Sequence, residues 1–319
     1  MTRFARPDSL PRRAIAAAAL LLAVIVPRAA AAWSRPGHMV HGAIAYQDLR
    51  ARDTLALRRV VTLLKAHPDY ASKWLPLIAK QGMEDHDAML FMLAARWPDD
   101  VRDDAELHHP TWHYTNFTFV PRGDTTRAPA NAGGDVMIET DHNLATLRDP
   151  RATDAQKAIA LCWIFHLVGD VHQPLHAVAL FSTRFPEGDR GGNLQWVRPT
   201  GFARAVNLHA FWDGLVNGSD DVRGALNRAT ALRAARPRQA VTALVERLVP
   251  SAWAREESAP LAVRWAYLDG SLAAGTSPET AALLPATYAA DAKRVAEAQV
   301  TLAGYRLSAL LARALGAAP

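Results

Sequence analysis

Two segments of the chain, His166-Leu167-Val168-Gly169-Asp170 and His209-Ala210-Phe211-Trp212-Asp213, each place a histidine and an aspartate four residues apart. At 3.6 residues per turn such a pair lies on one helical face, so each segment aims an imidazole and a carboxylate at one point. A single pair of this kind is ordinarily a hydrogen-bonded couple on a helix surface. Here there are two, and the first ends the apolar run Ala158 to Val168, where uncompensated polar groups are costly. His176 follows just after Pro174, which terminates the helix. Imidazole plus carboxylate, without thiolate, is the ligand set of catalytic rather than structural zinc. The pattern predicts helices whose ligand-bearing faces converge on metal.

Residues 1–32 read as a secretory leader. Arg3, Arg6, Arg12 and Arg13 precede the apolar run Ala14 to Val26, and Ala29-Ala30-Ala31-Ala32 supplies an Ala-x-Ala site. Cleavage after Ala32 makes Trp33 the first residue of the exported protein, periplasmic or secreted. The apolar run is shorter than the ~20 residues of a spanning helix, so no stable membrane anchoring is expected. The leader carries five Arg and one Asp of a chain whose net charge is +5, so residues 33–319 are close to neutral. The basic balance is then no footprint for nucleic acid. With Cys162 alone there is no intrachain disulfide, and stability falls to a large core and to bound metal.

Residues 33–319 show no linker and predict one all-α, mostly helical domain, with helical periodicity over 39–66, 84–96, 135–148, 155–170, 209–217, 221–248, 256–273 and 287–315. Asp154 is the expected N-cap of the 155–170 helix. Strand signal is limited to Trp112 to Val120 and, more weakly, Leu194 to Val197. Ser182 to Asn193, rich in Gly, Asp and Arg, reads as a long surface loop bordering the site. A Gly-x-Ser-x-Gly elbow, a phosphate-cradling loop, a dinucleotide fingerprint and a Cys-x-x-Cys pair are all missing.

Further His and Asp residues occur as Trp33…His38, Trp97-Pro98-Asp99-Asp100-Val101-Arg102 and Trp112-His113-Tyr114. With the two His-x-x-x-Asp segments and Gly191-Gly192-Asn193, the chain resembles the trinuclear zinc, single-strand-preferring nucleases of fungi, plants and bacteria. The likeness runs from Trp33 to Asp213 and continues more weakly through Trp253-Ala254-Arg255-Glu256-Glu257-Ser258 and Leu302-Ala303-Gly304-Tyr305-Arg306-Leu307. It implies the helical fold shared by zinc phospholipases C and these nucleases, with three zinc ions. Asp99, His113, His166 and Asp170 would hold one. The α-amino nitrogen and carbonyl oxygen of Trp33, His38 and the second oxygen of Asp170 would hold another. His176, His209 and Asp213 would hold the third.

The resemblance further implies hydrolysis of single-stranded DNA and RNA to 5′-phosphate products, with 3′-nucleotidase activity, by water activated on the zincs. Arg102 would stabilise transition-state charge beside Asp99 and Asp170, and Asn193 would contact phosphate. Tyr114 would stack an unpaired base or else pack beside Trp112. Asn116 stands where fungal members carry an acidic residue, so their base preference does not transfer. His41 is a partner of a ligand or plain packing, and His172 a non-ligand. Single-stranded nucleic acid and 3′-nucleotides are the expected partners of a monomer. Two rivals remain open: a zinc phospholipase C, whose last ligand is Glu where this chain has Asp213, and a non-enzymatic zinc store.

Overall fold

The computed structural model describes residues 33–216 and 219–316; the leader lies outside them. Eight helices are numbered here: α1 (Arg35–Arg52), α2 (Thr54–Lys65), α3 (Leu75–Gln81), α4 (His86–Asp100), α5 (Val136–Arg148), α6 (Asp154–Asp170), α7 (Leu208–Asp213) and α8 (Val222–Ala235). Short helical turns follow, and the C-terminal helix Tyr288–Leu315 closes the fold. α1 packs against α4, α8 and the C-terminal helix, while α6 packs against α4 and α5. The mostly helical single domain anticipated from periodicity is what forms.

Local chemistry explains the boundaries. Pro36 sits in the first turn of α1, where a missing N–H costs nothing. Asp53 breaks the expected 39–66 helix in two and caps the second piece, its side chain accepting from the Ala56 N–H at 2.9 Å. Helix α6 begins one residue earlier than expected. Thr153, not Asp154, is its cap, in a reciprocal box with Gln156. The expected 221–248 helix stops at Ala235, ahead of Pro237, which cannot continue it. Tyr70–Trp74 and α3 escaped the periodicity reading, since Pro76 and Gly82 interrupt it.

Strands are few and short. β1 (Phe117–Phe119) pairs in parallel with β2 (Val178–Leu180), joining Phe117 to Val178. This brings the chain after His113 alongside the chain after His176. β3 (Trp196–Arg198) pairs antiparallel with β4 (Val206–Asn207) and in parallel with β5 (Ala282–Leu283). Of Trp112 to Val120, only the last part is strand, because Pro110–His113 turns as a 3-10 helix.

The helices approach closely enough to exclude a methyl group at Gly304. A Cβ there would lie 2.5 Å from Ile44 Cβ and 2.9 Å from the His41 carbonyl. Gly304→Ala is therefore expected to cost about 1–3 kcal/mol through overpacking. The check is a lower urea midpoint at unchanged slope.

Candidate metal centre

Six elements deliver the ligand candidates. His38 comes from the first turn of α1, Asp99 from the last turn of α4, and His166 with Asp170 from the last turns of α6. His113 ends the 3-10 turn before β1; His176 ends a second such turn; α7 carries His209 and Asp213. All eight side chains are buried. They form three groups of mutually close donor atoms: His38, His166 and Asp170; Asp99, His113 and His166; and His176, His209 and Asp213.

Asp170 joins the first two groups. Its Oδ1 lies 3.3 Å from His38 Nε2, and its Oδ2 lies 3.0 Å from His113 Nδ1 and 3.4 Å from His166 Nε2. His166 Nε2 is also 3.6 Å from Asp99 Oδ1. In the third group His176 Nε2 faces His209 Nε2 at 2.8 Å, and Asp213 Oδ2 lies 3.7 Å from His209 Nε2.

The tautomers reveal what these groups suit. A carbonyl only accepts, so a ring nitrogen facing one must carry the proton. His166 Nδ1 donates to the Ala95 carbonyl (2.9 Å), His176 Nδ1 to that of His113 (2.6 Å) and His209 Nδ1 to that of Gly191 (2.7 Å). In the neutral rings the Nε2 lone pairs therefore point inward, and those of His176 and His209 point at each other. Two lone pairs at that distance repel unless a cation or proton lies between them. Burial opposes the proton: it holds His38, His113, His166 and His176 well below the usual imidazole range and takes His209 down to about 4. Burial likewise pushes Asp99 up to about 7, and Asp170 and Asp213 well above the usual carboxylate range. His38 Nε2, Asp99 Oδ2 and Asp170 Oδ1 are buried without a hydrogen-bond partner, and His113 turns its Nδ1 towards Asp170 and His166. Inward donors of this kind, with imidazoles kept neutral and carboxylates whose charge burial leaves uncompensated, fit divalent cations.

Backbone devices hold the rings. The Ala95 carbonyl, near the C-terminal end of α4, accepts from His166. Gly191 lies at φ 62°, where a Cβ would meet the Leu175 carbonyl at 2.5 Å, so the Gly-Gly turn sets the carbonyl that orients His209. The loop read as surface is partly interior. Buried Asp189 accepts from the Leu180 N–H (2.8 Å), Gln195 Nε2 (2.8 Å) and the Tyr267 hydroxyl (3.2 Å).

Trp33 is buried against this centre. Its indole N–H donates to the Gly169 carbonyl at 3.0 Å, and the next amide, Ser34 N–H, donates to the Asp213 carbonyl at 3.0 Å. Trp33 is thus tied by its indole to one His-x-x-x-Asp segment, and the peptide that follows it to the other. Arg102 places a guanidinium nitrogen 2.6 Å from Asp99 Oδ1. Tyr114 is half-buried against Gly134, whereas Trp112 belongs to the packing, stacked on His109 at 3.9 Å and edge-on to Trp163. Asn116 is half-buried beside Tyr114, and Asn193 turns its amide onto the Arg190 carbonyl at 2.8 Å.

His41 Nε2 lies 3.1 Å from His38 Nδ1, making it a partner of a candidate ligand. His172 is outside the clusters: Nδ1 donates to Val168 O and Nε2 accepts from buried Arg306. Two contributors went unread in the sequence, Ser34 and Gln173. Gln173 Nε2 donates to Asp213 Oδ1 at 2.7 Å. Its position between Asp170 and His176 was the available signal.

A helical body around three buried His/Asp clusters, the first two sharing His166 and linked by Asp170, fits a multinuclear metal centre. The description of the S1/P1 nuclease family matches residues 33–316, and the chain belongs to that family, whose members are hydrolases. The chain is also 42% identical over 57 residues to endonuclease 4 of Arabidopsis thaliana, a stretch covering 18% of this chain and 16% of that relative's length. Among the described residues, no helix is long and apolar enough to cross a membrane.

Proposed function

We propose that the protein is an exported, zinc-dependent phosphodiesterase that cuts single-stranded DNA and RNA to 5′-phosphate products and removes phosphate from 3′-nucleotides. The observation that carries this reading is the shared Asp170, with one oxygen towards His38 and the other towards His113 and His166. Asp99, His113, His166 and Asp170 would hold one zinc, Trp33, His38 and Asp170 a second, and His176, His209 and Asp213 the third. Zinc, rather than a harder cation, is supported by the imidazole-rich donor set. Bound there, such ions supply Lewis acidity that acidifies water and polarises a phosphodiester.

The chain's own residues do the rest. Asp170 lies between the first two sites, and Arg102, itself partly exposed, offers positive charge beside buried Asp99. Tyr114 and Asn116 flank the turn that carries His113, where an unpaired base can stack and a duplex base cannot, a contact of roughly 1–3 kcal/mol. Asn193 lies one residue beyond the turn that orients His209. Export follows from the Arg-flanked apolar leader, whose removal would free the Trp33 amine to bind metal.

The deciding experiment assays zinc-loaded protein beginning at Trp33 on single-stranded DNA, RNA, 3′-AMP and phosphatidylcholine. Cleavage of the first three is expected. Turnover of phosphatidylcholine alone would overturn the reading in favour of a phospholipase C. Arg102→Ala is expected to lower kcat on single-stranded DNA by about 10²-fold with a smaller change in KM, as for loss of one preorganised transition-state donor. Steady-state kinetics on the two proteins checks this.

A further inference from the structure

We propose that Gln173 is a positioning residue that restricts Asp213 to one-oxygen ligation and so keeps the third cluster open to substrate. The inference rests on the reading of that cluster as a hydrolytic metal site. It goes beyond that reading by assigning a task to a side chain that is neither ligand nor substrate contact.

Gln173 is fully buried and has no freedom to flip. The Leu175 N–H, which only donates, lies 2.6 Å from its Oε1, so the amide NH2 must face Asp213, where Nε2 donates to Oδ1 at 2.7 Å. The backbone around it is equally committed. Its own N–H donates to the Asp170 carbonyl at 2.9 Å, and its carbonyl accepts from the His176 N–H at 3.0 Å. Gln173 therefore lies between a ligand of the inner pair and a ligand of the third group while holding the last ligand, Asp213, across the site.

The consequence is a count of donors. With Oδ1 engaged by the amide, the third group offers His176 Nε2, His209 Nε2 and Asp213 Oδ2. Three protein donors leave a tetrahedral ion one position for a substrate oxygen. Without the amide, Asp213 is free to turn both oxygens to the ion and fill that position. Ser34 N–H holds the Asp213 backbone but leaves its carboxylate free to rotate, so the orientation depends on Gln173.

The test compares wild type with Gln173→Glu and Gln173→Leu, each made metal-free and reloaded with zinc or cobalt. Gln173→Glu keeps the acceptor for Leu175 and loses the donor to Asp213; Gln173→Leu loses both. Tetrahedral cobalt absorbs visible light more strongly than five- or six-coordinate cobalt, so the spectrum reports whether the third ion gains a ligand. Both variants are expected to give weaker absorption of the third cobalt and a kcat on 3′-AMP lowered about 10–100-fold with little change in KM. A Gln173→Glu protein with the wild-type spectrum and wild-type kcat would overturn the proposal, confining Gln173 to the Leu175 turn. A wild-type third cobalt already of high coordination would overturn it as well. Wild type that binds three ions but hydrolyses neither 3′-AMP nor single-stranded DNA overturns the functional reading, while the spectra still decide the role of Gln173.

Discussion

Asp170→Ala is expected to lower hydrolysis of single-stranded DNA by about 10³-fold, roughly 4 kcal/mol of transition-state stabilisation. Metal analysis should find the two inner ions lost together. The reason is the shared carboxylate: one oxygen is 3.3 Å from His38 and the other 3.0 Å from His113, so a single truncation opens both inner groups. It also leaves His38 without its carboxylate partner, and Asp99 as the carboxylate remaining beside His113 and His166. Asp213→Ala removes a ligand of the third group alone and is expected to retain the inner two ions. Zinc content and initial rates of the two variants, measured side by side, provide the check. An Asp170→Ala protein with full zinc and the wild-type rate would refute the shared-ligand reading.

Chelation is expected to lower the melting temperature by a large margin. Three ions, each at a free concentration about a hundredfold above its dissociation constant, stabilise the folded chain by about 8 kcal/mol in total. For a domain near this size that corresponds to roughly 15–30 °C. The gap should depend on pH. In the metal-free protein Asp99 is raised to about 7, above its unfolded value of about 3.8, so its contribution to stability is present below the unfolded value and lost as pH rises towards 7. His209 is lowered to about 4, so the unfolded chain takes up a proton below about 6.5 that the folded chain refuses until pH 4. The metal-free fold is thus penalised at Asp99 increasingly as pH rises from about 3.8 to 7, fully above that, and at His209 below 6.5. A divalent ion bound by these residues would hold the carboxylates ionised and need unprotonated imidazoles, so it would remove the first penalty and compete poorly with protons under acidic conditions. The difference in melting temperature with and without chelator should be greatest above pH 7 and shrink towards pH 5. A gap independent of pH would count against ligation by these residues.

The helices that carry ligands were legible wherever the signal was local. The α6 pattern, from its polar cap to Asp170, needs only i,i+4 geometry and an apolar run, and it was misplaced by a single residue because Thr153 and Asp154 both suit an N-cap. Breaks were harder to see. Asp53 ends one helix and begins another without interrupting the apolar period, and the helix over 221–248 was overextended past Pro237. Tyr114 and Trp112 share similar local surroundings, yet of the two Trp112 joins the aromatic stack, because Trp163 meets it from elsewhere in the chain while His109 stacks on it locally.

Ligand chemistry and spacing belong to the sequence alone, since four residues of helix bring an imidazole and a carboxylate to one face whatever surrounds them. Tertiary structure decided how those donors combine. His38 reaches Asp170 because α1 and α6 are held in one packed bundle, and the carbonyls of Ala95, His113 and Gly191 decide which nitrogen of each ring faces inward. Gln173 and the Ser34 amide connect Asp213 to the rest of the centre through bonds across the fold. A side chain's first role follows from its own chemistry, but the partner that orients it is supplied by backbone distant in sequence, and only packing brings that backbone within hydrogen-bonding range.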